Sequence, residues 1–312
     1  MSKRLDGKVA VVTGAGRGIG RAYAHALAAE GAKIVVNDLG AAVDGSGREE
    51  SSAAAVAREI VAGGGQAVAD THSVADFDSA EMIMQTAVSA FGRLDILVAN
   101  AGNIRMAALH ESSRGDWQDV MAVHADGTFN CVRHAAPLMR ENGGGTIITT
   151  GDLAQGFYYP KLGSYRAAKA AILVVTLYAA HELSQFGINV NSVFPGTTST
   201  RMAEAFFDGL DDKESFYADA KEHFQADSEA AAAEPETVPP IGVYLCTDEG
   251  RPITGRSFVM DGPDIGLCTT TSDLSFIAPS TGTWTTEELI ARIPEWLTSA
   301  GAPAVAATST HN

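Results

Sequence analysis

KVAVVTGAGRGIG, Lys8 to Gly20, joins a short β-branched run directly to a glycine-rich loop. An apolar run of this length ending on glycine is the pattern of a strand buried on both faces, as in a parallel sheet. Ile19, Tyr23 and Leu27 then recur on one helical face, and Glu30-Gly31 ends that helix before a second buried run, Lys33 to Asn37. Strand, loop, helix and strand in this order make a βαβ unit. Its three glycines have separate uses: Gly14 for the tight turn, Gly18 for backbone approach to a pyrophosphate, and Gly20 for close packing of helix on strand. Isolated glycine loops also serve ordinary turns, and it is the flanking strands and helix that distinguish this one.

Asp38 stands at the end of the second strand. A carboxylate there accepts hydrogen bonds from both hydroxyls of an adenosine ribose and repels a 2′-phosphate, so the expected cofactor is NAD. Arg17, inside the loop, is the opposing indication, because a guanidinium there suits a 2′-phosphate; it equally suits a surface residue or the partner of a carboxylate.

The strand-helix alternation continues along the chain. Helices are expected at Ser51 to Ala62, Ala80 to Phe91, about Trp117 to Met139, and through Tyr165 and Lys169 up to Gly187. Strands are expected at Gln66 to Ala69, Leu94 to Ala99, Thr146 to Thr150, Ile188 to Phe194 and Ser257 to Met260. Repetition of this kind implies an α/β, Rossmann-type, doubly wound and mostly parallel sheet with helices on both faces, its ligand site outside the carboxyl ends of the strands. Between Arg201 and about residue 238 acidic residues far outnumber basic ones and are interspersed with Phe206, Phe207, Phe216 and Tyr217, which reads as a helical cover over the substrate pocket. We expect one domain over residues 1–264, including that lid, and an extension over 265–312 with one helix, Thr285 to Leu297, and a frayed tail.

The chain has 312 residues and a formal net charge of −16, which argues against binding a phosphate backbone, so no nucleic-acid partner is expected. No apolar run suggests a membrane span, and Met1 to Gly14 passes straight into a strand without a secretory apolar stretch; a cytoplasmic location is expected. Cys131, Cys246 and Cys268 are far apart, and the histidines show neither HxxxH nor HExxH spacing, so no disulfide framework and no metal are expected.

Thr13 to Gly20, Asn100-Ala101-Gly102, Tyr165 with Lys169, and Pro195-Gly196, in this order, resemble the short-chain dehydrogenase/reductase family, with the match returning at Tyr244 to Gly262. VVNDLGAAVDGSG, AVHADG and GTWTTEELI look most like the branch of peroxisomal-type (3R)-hydroxyacyl-CoA dehydrogenase domains and their bacterial relatives. The resemblance implies a site of Asn, Ser, Tyr and Lys with tyrosine as the acid/base. Tyr165 and Lys169 match. The serine position holds Asp152 and the asparagine position holds His124, where the resembling branch also has histidine. The resemblance further implies that Asn100 and Gly102 shape the cofactor site, that Pro195-Gly196 and Thr200 hold the nicotinamide carboxamide, and that Lys169 reaches the nicotinamide ribose. Association through exposed helices, as homodimer or homotetramer, is also implied.

Tyr165 and Lys169 are four residues apart, on one helical face, where an ammonium favours the phenolate. Asp152 admits four readings: a protonated carboxyl that donates, a carboxylate that accepts the alcohol's hydrogen bond and biases towards oxidation, a register shift that lets Thr149 or Thr150 supply the hydroxyl, or lost catalysis. Two functions follow. One is hydride transfer between NAD and a hydrophobic secondary alcohol or ketone of steroid, terpenoid, aryl or 3-hydroxyacyl type. The other is an NAD-binding sensor or scaffold without turnover.

Overall fold

The computed structural model describes residues 3–47, 51–152, 160–196, 198–208, 233–268 and 292. Eight strands among them form a single sheet: β1 (Val9–Thr13), β2 (Lys33–Asn37), β3 (Gln66–Asp70), β4 (Ile96–Ala99), β5 (Gly145–Thr150), β6 (Ile188–Pro195), β7 (Ser257–Asp261) and β8 (Asp264–Cys268). Their order is β3-β2-β1-β4-β5-β6-β7-β8, and every pairing is parallel except that of β7 with β8. The helices are α1 (Gly18–Ala29), α2 (Ser51–Ala62), α3 (Phe77–Phe91), α4 (Arg114–Met121), α5 (Gly127–Glu141), α6 (Gly163–Leu183), α7 (Arg201–Asp208) and α8 (Pro239–Leu245). The doubly wound parallel sheet is as the alternation implies.

Side chains along β1 leave alternately to the two faces, as a strand requires. Ala10 and Val12 join Tyr23, Leu27, Val56, Ile60, Ile241 and Leu245 under α1, α2 and α8. Val9 and Val11 join Ile83, Met84, Leu97, Met139, Ile147 and Val190 under α3, α5 and α6. Because β1 lies between β2 and β4, the chain reverses its direction of travel across the sheet there, and the loops after β1 and β4 part to open a cleft.

The stretch expected as one helix from Trp117 to Met139 is interrupted. Between α4 and α5 runs a π-helical turn, Ala122–Asp126, which turns His124 inward. The antiparallel edge strand β8 was not apparent in the sequence: its residues are nearly all exposed, so no alternation marks it, and the chain divides into compact units after Cys268 rather than after residue 264. A two-residue turn with Gly262 at φ 56° makes that hairpin. Of the proposed lid the structure describes α7; residues 209–232 and the expected helix Thr285 to Leu297 lie outside the described residues. Helix α6 and the turn after it, Gly163–Phe186, have the length and hydropathy of a membrane span by composition alone. Here its inner face, with Ile172, Thr176 and Ala180, is buried, while Val174 and Tyr178 face outward.

The starts of three strands are tied together by Asp95. Its Oδ2 accepts from the backbone N–H of Val9 at 3.0 Å, and Arg93 grips both oxygens from the other side. The backbone N–H of Asp95 bonds the Val9 carbonyl, and its carbonyl accepts from Thr146. Asp95→Ala leaves the buried Val9 N–H without its acceptor, so it is expected to lower the unfolding free energy by about 2–3 kcal/mol in urea titrations, with Asp95→Asn losing less.

Candidate active site

At the head of the cleft, the backbone after β1 turns with Gly14 at φ 64° and enters α1 with Gly18 at φ 51°. A Cβ on Gly20 would lie 2.1 Å from the Gly14 carbonyl oxygen, and one on Gly14 would lie 2.8 Å from the Ala101 Cα. The loop can close only without those side chains. Ile19 packs onto the apolar cluster under α1, and Arg17, at the N-cap position, is extended and solvent-exposed. No side chain caps α1 and no acidic residue occupies its first turn. Its outward-facing N–H groups and positive helix end therefore suit an anionic group such as a pyrophosphate.

Asp38 is built into this loop. One carboxylate oxygen accepts from the Gly16 N–H at 2.8 Å and the other from the Gly40 N–H at 2.7 Å, with Ser52 Oγ 3.4 Å away. A Cβ on Gly16 would strike this carboxylate at 2.8 Å. Gly16 thus matters as much as the three glycines to which the sequence spacing assigns roles, and only the folded position of Asp38 reveals it. Asn100 donates through Nδ2 to the carbonyls of Thr13 and Gly14, while Thr13 Oγ1 accepts from the backbone of Asn100 and Ala101. The loops after β1 and β4 are thereby joined.

Across the cleft the Tyr165 ring meets the His124 ring edge-on, with centroids 5.2 Å apart. His124 is almost wholly buried, and its Nε2 lies 2.8 Å from the Asn103 carbonyl oxygen and 3.1 Å from the Asn103 N–H. Gly102 makes room for it: a Cβ there would lie 2.6 Å from the imidazole Cε1. Burial, with the Lys169 ammonium next, pushes the His124 pKa down to about 3, partly offset by its hydrogen bond to Asn103. The ring is therefore neutral. The shorter contact assigns the Nε2 proton to the Asn103 carbonyl, which leaves Nδ1 a buried acceptor with no partner among the described residues.

Lys169 Nζ donates to the Thr150 carbonyl at 2.8 Å and lies 5.4 Å from the centre of the Tyr165 ring. Burial lowers its pKa to about 8, with Asp152 raising it and Arg166 lowering it, so the amine remains largely protonated at neutral pH. Thr149 is wholly buried against Thr176 and Ser192, and Thr150 Oγ1 points 3.5 Å from Asn100 Oδ1. Asp152 itself meets Arg166: Oδ2 is 3.0 Å from Nη1, and both side chains are largely covered. The sequence reading had not singled out Arg166, although a second charge beside Tyr165 in an otherwise apolar helix start was the available signal.

An apolar cluster adjoins Tyr165. Ile104, Leu162 and Phe206 are its buried members, with Val43, Met106, Met202, Ala205 and Tyr165 packed on them. Phe206 and Met202 come from α7, so that helix does lie against the Tyr165 end of the cleft; the Phe207 side chain, Phe216 and Tyr217 are outside the described residues. Thr200 caps α7, accepting from the Ala203 N–H at 3.3 Å, and its methyl faces Gly18. Pro195 ends β6, and Gly196 donates from its N–H to the Met260 carbonyl, against which a Cβ would lie at 2.7 Å. The glycine loop, the end of β6 and α7 are thus brought to one place.

A family profile described as enoyl-(acyl carrier protein) reductase matches residues 14–262. The chain is 38% identical over 245 residues to the peroxisomal multifunctional enzyme type 2 of Drosophila melanogaster, an alignment taking in 78% of this chain and 37% of that enzyme. The chain thus spans little more than a third of that relative's length. A crystal structure of a short chain dehydrogenase from Mycobacterium avium superposes with a TM-score of 0.76 at 37% identity, covering 95% of this chain and 96% of that one. A 7α-hydroxysteroid dehydrogenase, complexed with NADH and 7-oxo glycochenodeoxycholic acid, superposes with a TM-score of 0.71 at 26% identity, covering 84% and 95%. With its fold, glycine loop and Tyr165/Lys169 helix, the chain belongs to the short-chain dehydrogenase/reductase family of oxidoreductases.

Proposed function

We propose that this protein is an NAD(H)-dependent dehydrogenase that interconverts a secondary alcohol and a ketone on a hydrophobic small molecule. The observation that carries the reading is the placing of Tyr165, between the buried Lys169 ammonium and the Ile104-Leu162-Phe206 cluster at the cleft. Bound NAD(H) would accept or supply the hydride. The glycine loop, Asp38, Asn100 and Gly102 would hold its adenosine and pyrophosphate, and Pro195, Gly196 and Thr200 its nicotinamide end. Tyr165 takes the proton from the alcohol or returns it to the ketone oxygen, and the nearby ammonium lowers the cost of its phenolate. His124, neutral, fixes the Asn103 backbone and braces the Tyr165 ring.

The apolar cluster supports an uncharged, hydrophobic substrate such as a steroid, terpenoid or aryl alcohol over a coenzyme A thioester, whose phosphates the acidic segment after Arg201 would repel. NAD is supported over NADP by the Asp38 carboxylate, which occupies the place a 2′-phosphate would need. A homodimer or homotetramer is supported by apolar side chains on the outer surfaces of α5 and α6: Phe129 is 50% exposed, Val174 54% and Tyr178 67%. The competing reading, an NAD-binding sensor or scaffold, rests on Asp152 where a hydroxyl donor is expected, and it requires cofactor binding without turnover.

With NAD and a panel of cyclic and aryl secondary alcohols, turnover is expected, and Tyr165→Phe should reduce kcat by about 10²–10⁴-fold with little change in NADH affinity. Asp38→Ser should move the ratio of NAD to NADP affinity towards NADP; an unchanged ratio removes Asp38 as its determinant. Binding of NADH without turnover on the whole panel supports the sensor reading.

His124 also gives the stability a pH dependence. Between about pH 3 and 6.5 the unfolded chain binds a proton at this residue that the folded chain does not, so stability rises with pH through that window and is lost as pH falls. His124→Asn should therefore flatten the dependence of the urea midpoint on pH below 6.5. Light scattering tests the assembly, with Val174→Arg and Tyr178→Asp together expected to reduce the species to a monomer.

A further inference from the structure

Asp152 stands where a donor to the substrate oxygen is expected, yet its carboxylate is engaged as an acceptor, with Oδ2 3.0 Å from Arg166 Nη1. An ion pair of this kind offers no proton to a ketone or alkoxide. The nearby hydroxyls are directed elsewhere: Thr149 towards Thr176 and Ser192 in the interior, and Thr150 towards Asn100. The charged group that accompanies Asp152 is therefore the donor the site has in place of a hydroxyl.

Arg166 follows Tyr165 directly and precedes Lys169 by three residues, one turn of α6. Its side chain is 14% exposed and that of Asp152 is 24% exposed, so the pair sits at the covered edge of the cleft rather than in bulk solvent. Both charges reach the Lys169 ammonium, in opposite senses. The pair also resolves an electrostatic conflict. A lone carboxylate beside Tyr165 would oppose its phenolate and repel a developing alkoxide; a guanidinium 3.0 Å away cancels that field locally. Guanidinium has only donors, five N–H groups in a fixed fork, and a carboxylate can occupy no more than two of them.

We propose that Arg166, oriented by Asp152, is a catalytic residue that donates a hydrogen bond to the reacting oxygen of the substrate, with Asp152 as its positioning residue. This rests on the dehydrogenase reading above. In the reducing direction the hydride from bound NADH forms the new C–H bond, the carbonyl π pair moves to oxygen, and Tyr165 delivers the proton. Arg166 stabilises the negative charge on that oxygen through N–H contact, with no bond made or broken to the guanidinium. The same contact serves the reverse reaction, since the transition state is shared.

The test uses full-length wild type, Arg166→Ala, Arg166→Lys, Asp152→Ser and the double variant Asp152→Ser with Arg166→Ala, assayed with NADH on cyclohexanone, acetophenone and larger cyclic ketones. NADH affinity is followed separately by fluorescence and folding by thermal melts. Arg166→Ala should lower kcat about 10²-fold or more at unchanged NADH affinity, the loss typical of removing one oxyanion donor. It should also move the kcat pH profile to higher pH, because the unpaired carboxylate raises the pKa of Tyr165. Arg166→Lys should keep part of the rate. The double variant should recover at least about tenfold over Arg166→Ala, because a hydroxyl then replaces the pair and no unpaired carboxylate remains. Arg166→Ala with wild-type kcat and pH profile overturns the role while leaving the dehydrogenase reading intact. Where Arg166→Ala fails to fold, a double variant that folds but gains nothing over Arg166→Lys overturns it equally. A wild type that binds NADH and reduces no ketone overturns both the role and the reading, and a wild type that binds no NADH overturns the cofactor assignment with them.

Discussion

The closest approach in the molecule, between Gly20 and the carbonyl of Gly14, is the constraint on which the rest depends. With a Cβ at Gly20 only 2.1 Å from that oxygen, β1 and α1 could not meet at this angle. The bare backbone lets the helix end point into the cleft with its N–H groups available to an anion. Asn100 then locks the same carbonyls from the side of β4, and Asp38 closes the loop from β2. Three strand ends are thereby drawn onto one turn, and the switch in strand order around β1 leaves the cleft beside it.

The second half of the cleft uses burial differently. His124 is turned inward by a π-helical turn, a local widening often found at functional positions, and is kept neutral by its surroundings. Gly102 is the complement of that turn, since any side chain there would meet the imidazole. Lys169 is held with its charge against the Thr150 carbonyl and near the Tyr165 ring, and burial lowers its pKa only to about 8, so the charge survives at neutral pH. A neutral acceptor, a retained cation and a phenol in one enclosed corner set the electrostatics of proton exchange. The apolar cluster from Ile104 to Phe206 closes that corner on the substrate side.

Much of the fold was legible because its signals are local. Buried parallel strands read as β-branched runs, helices as recurring apolar positions, and the glycines as places where a side chain is sterically forbidden. Strand β8 escaped because an exposed antiparallel edge has neither a buried run nor an alternating one. The break at Ala122–Asp126 escaped because a π-helical turn preserves helical composition on both sides and shifts only the facing of the residues after it. Gly16 was passed over for a similar reason: its need to lack a side chain comes from Asp38, twenty-two residues away in sequence but 2.8 Å away in space.

By itself the sequence determined the α/β alternation, the glycine loop and the Tyr165/Lys169 spacing, because each is set by a few neighbouring residues and the steric rules of the backbone. It placed Asp152 and His124 in the site but left their chemistry open, since a carboxylate and an imidazole take their behaviour from what surrounds them. Only the tertiary structure decided that the Asp152 carboxylate is engaged by Arg166 and that His124 is buried and neutral against Asn103. Those outcomes follow from charge, hydrogen bonding and desolvation between residues brought together by the fold, which no spacing along the chain encodes.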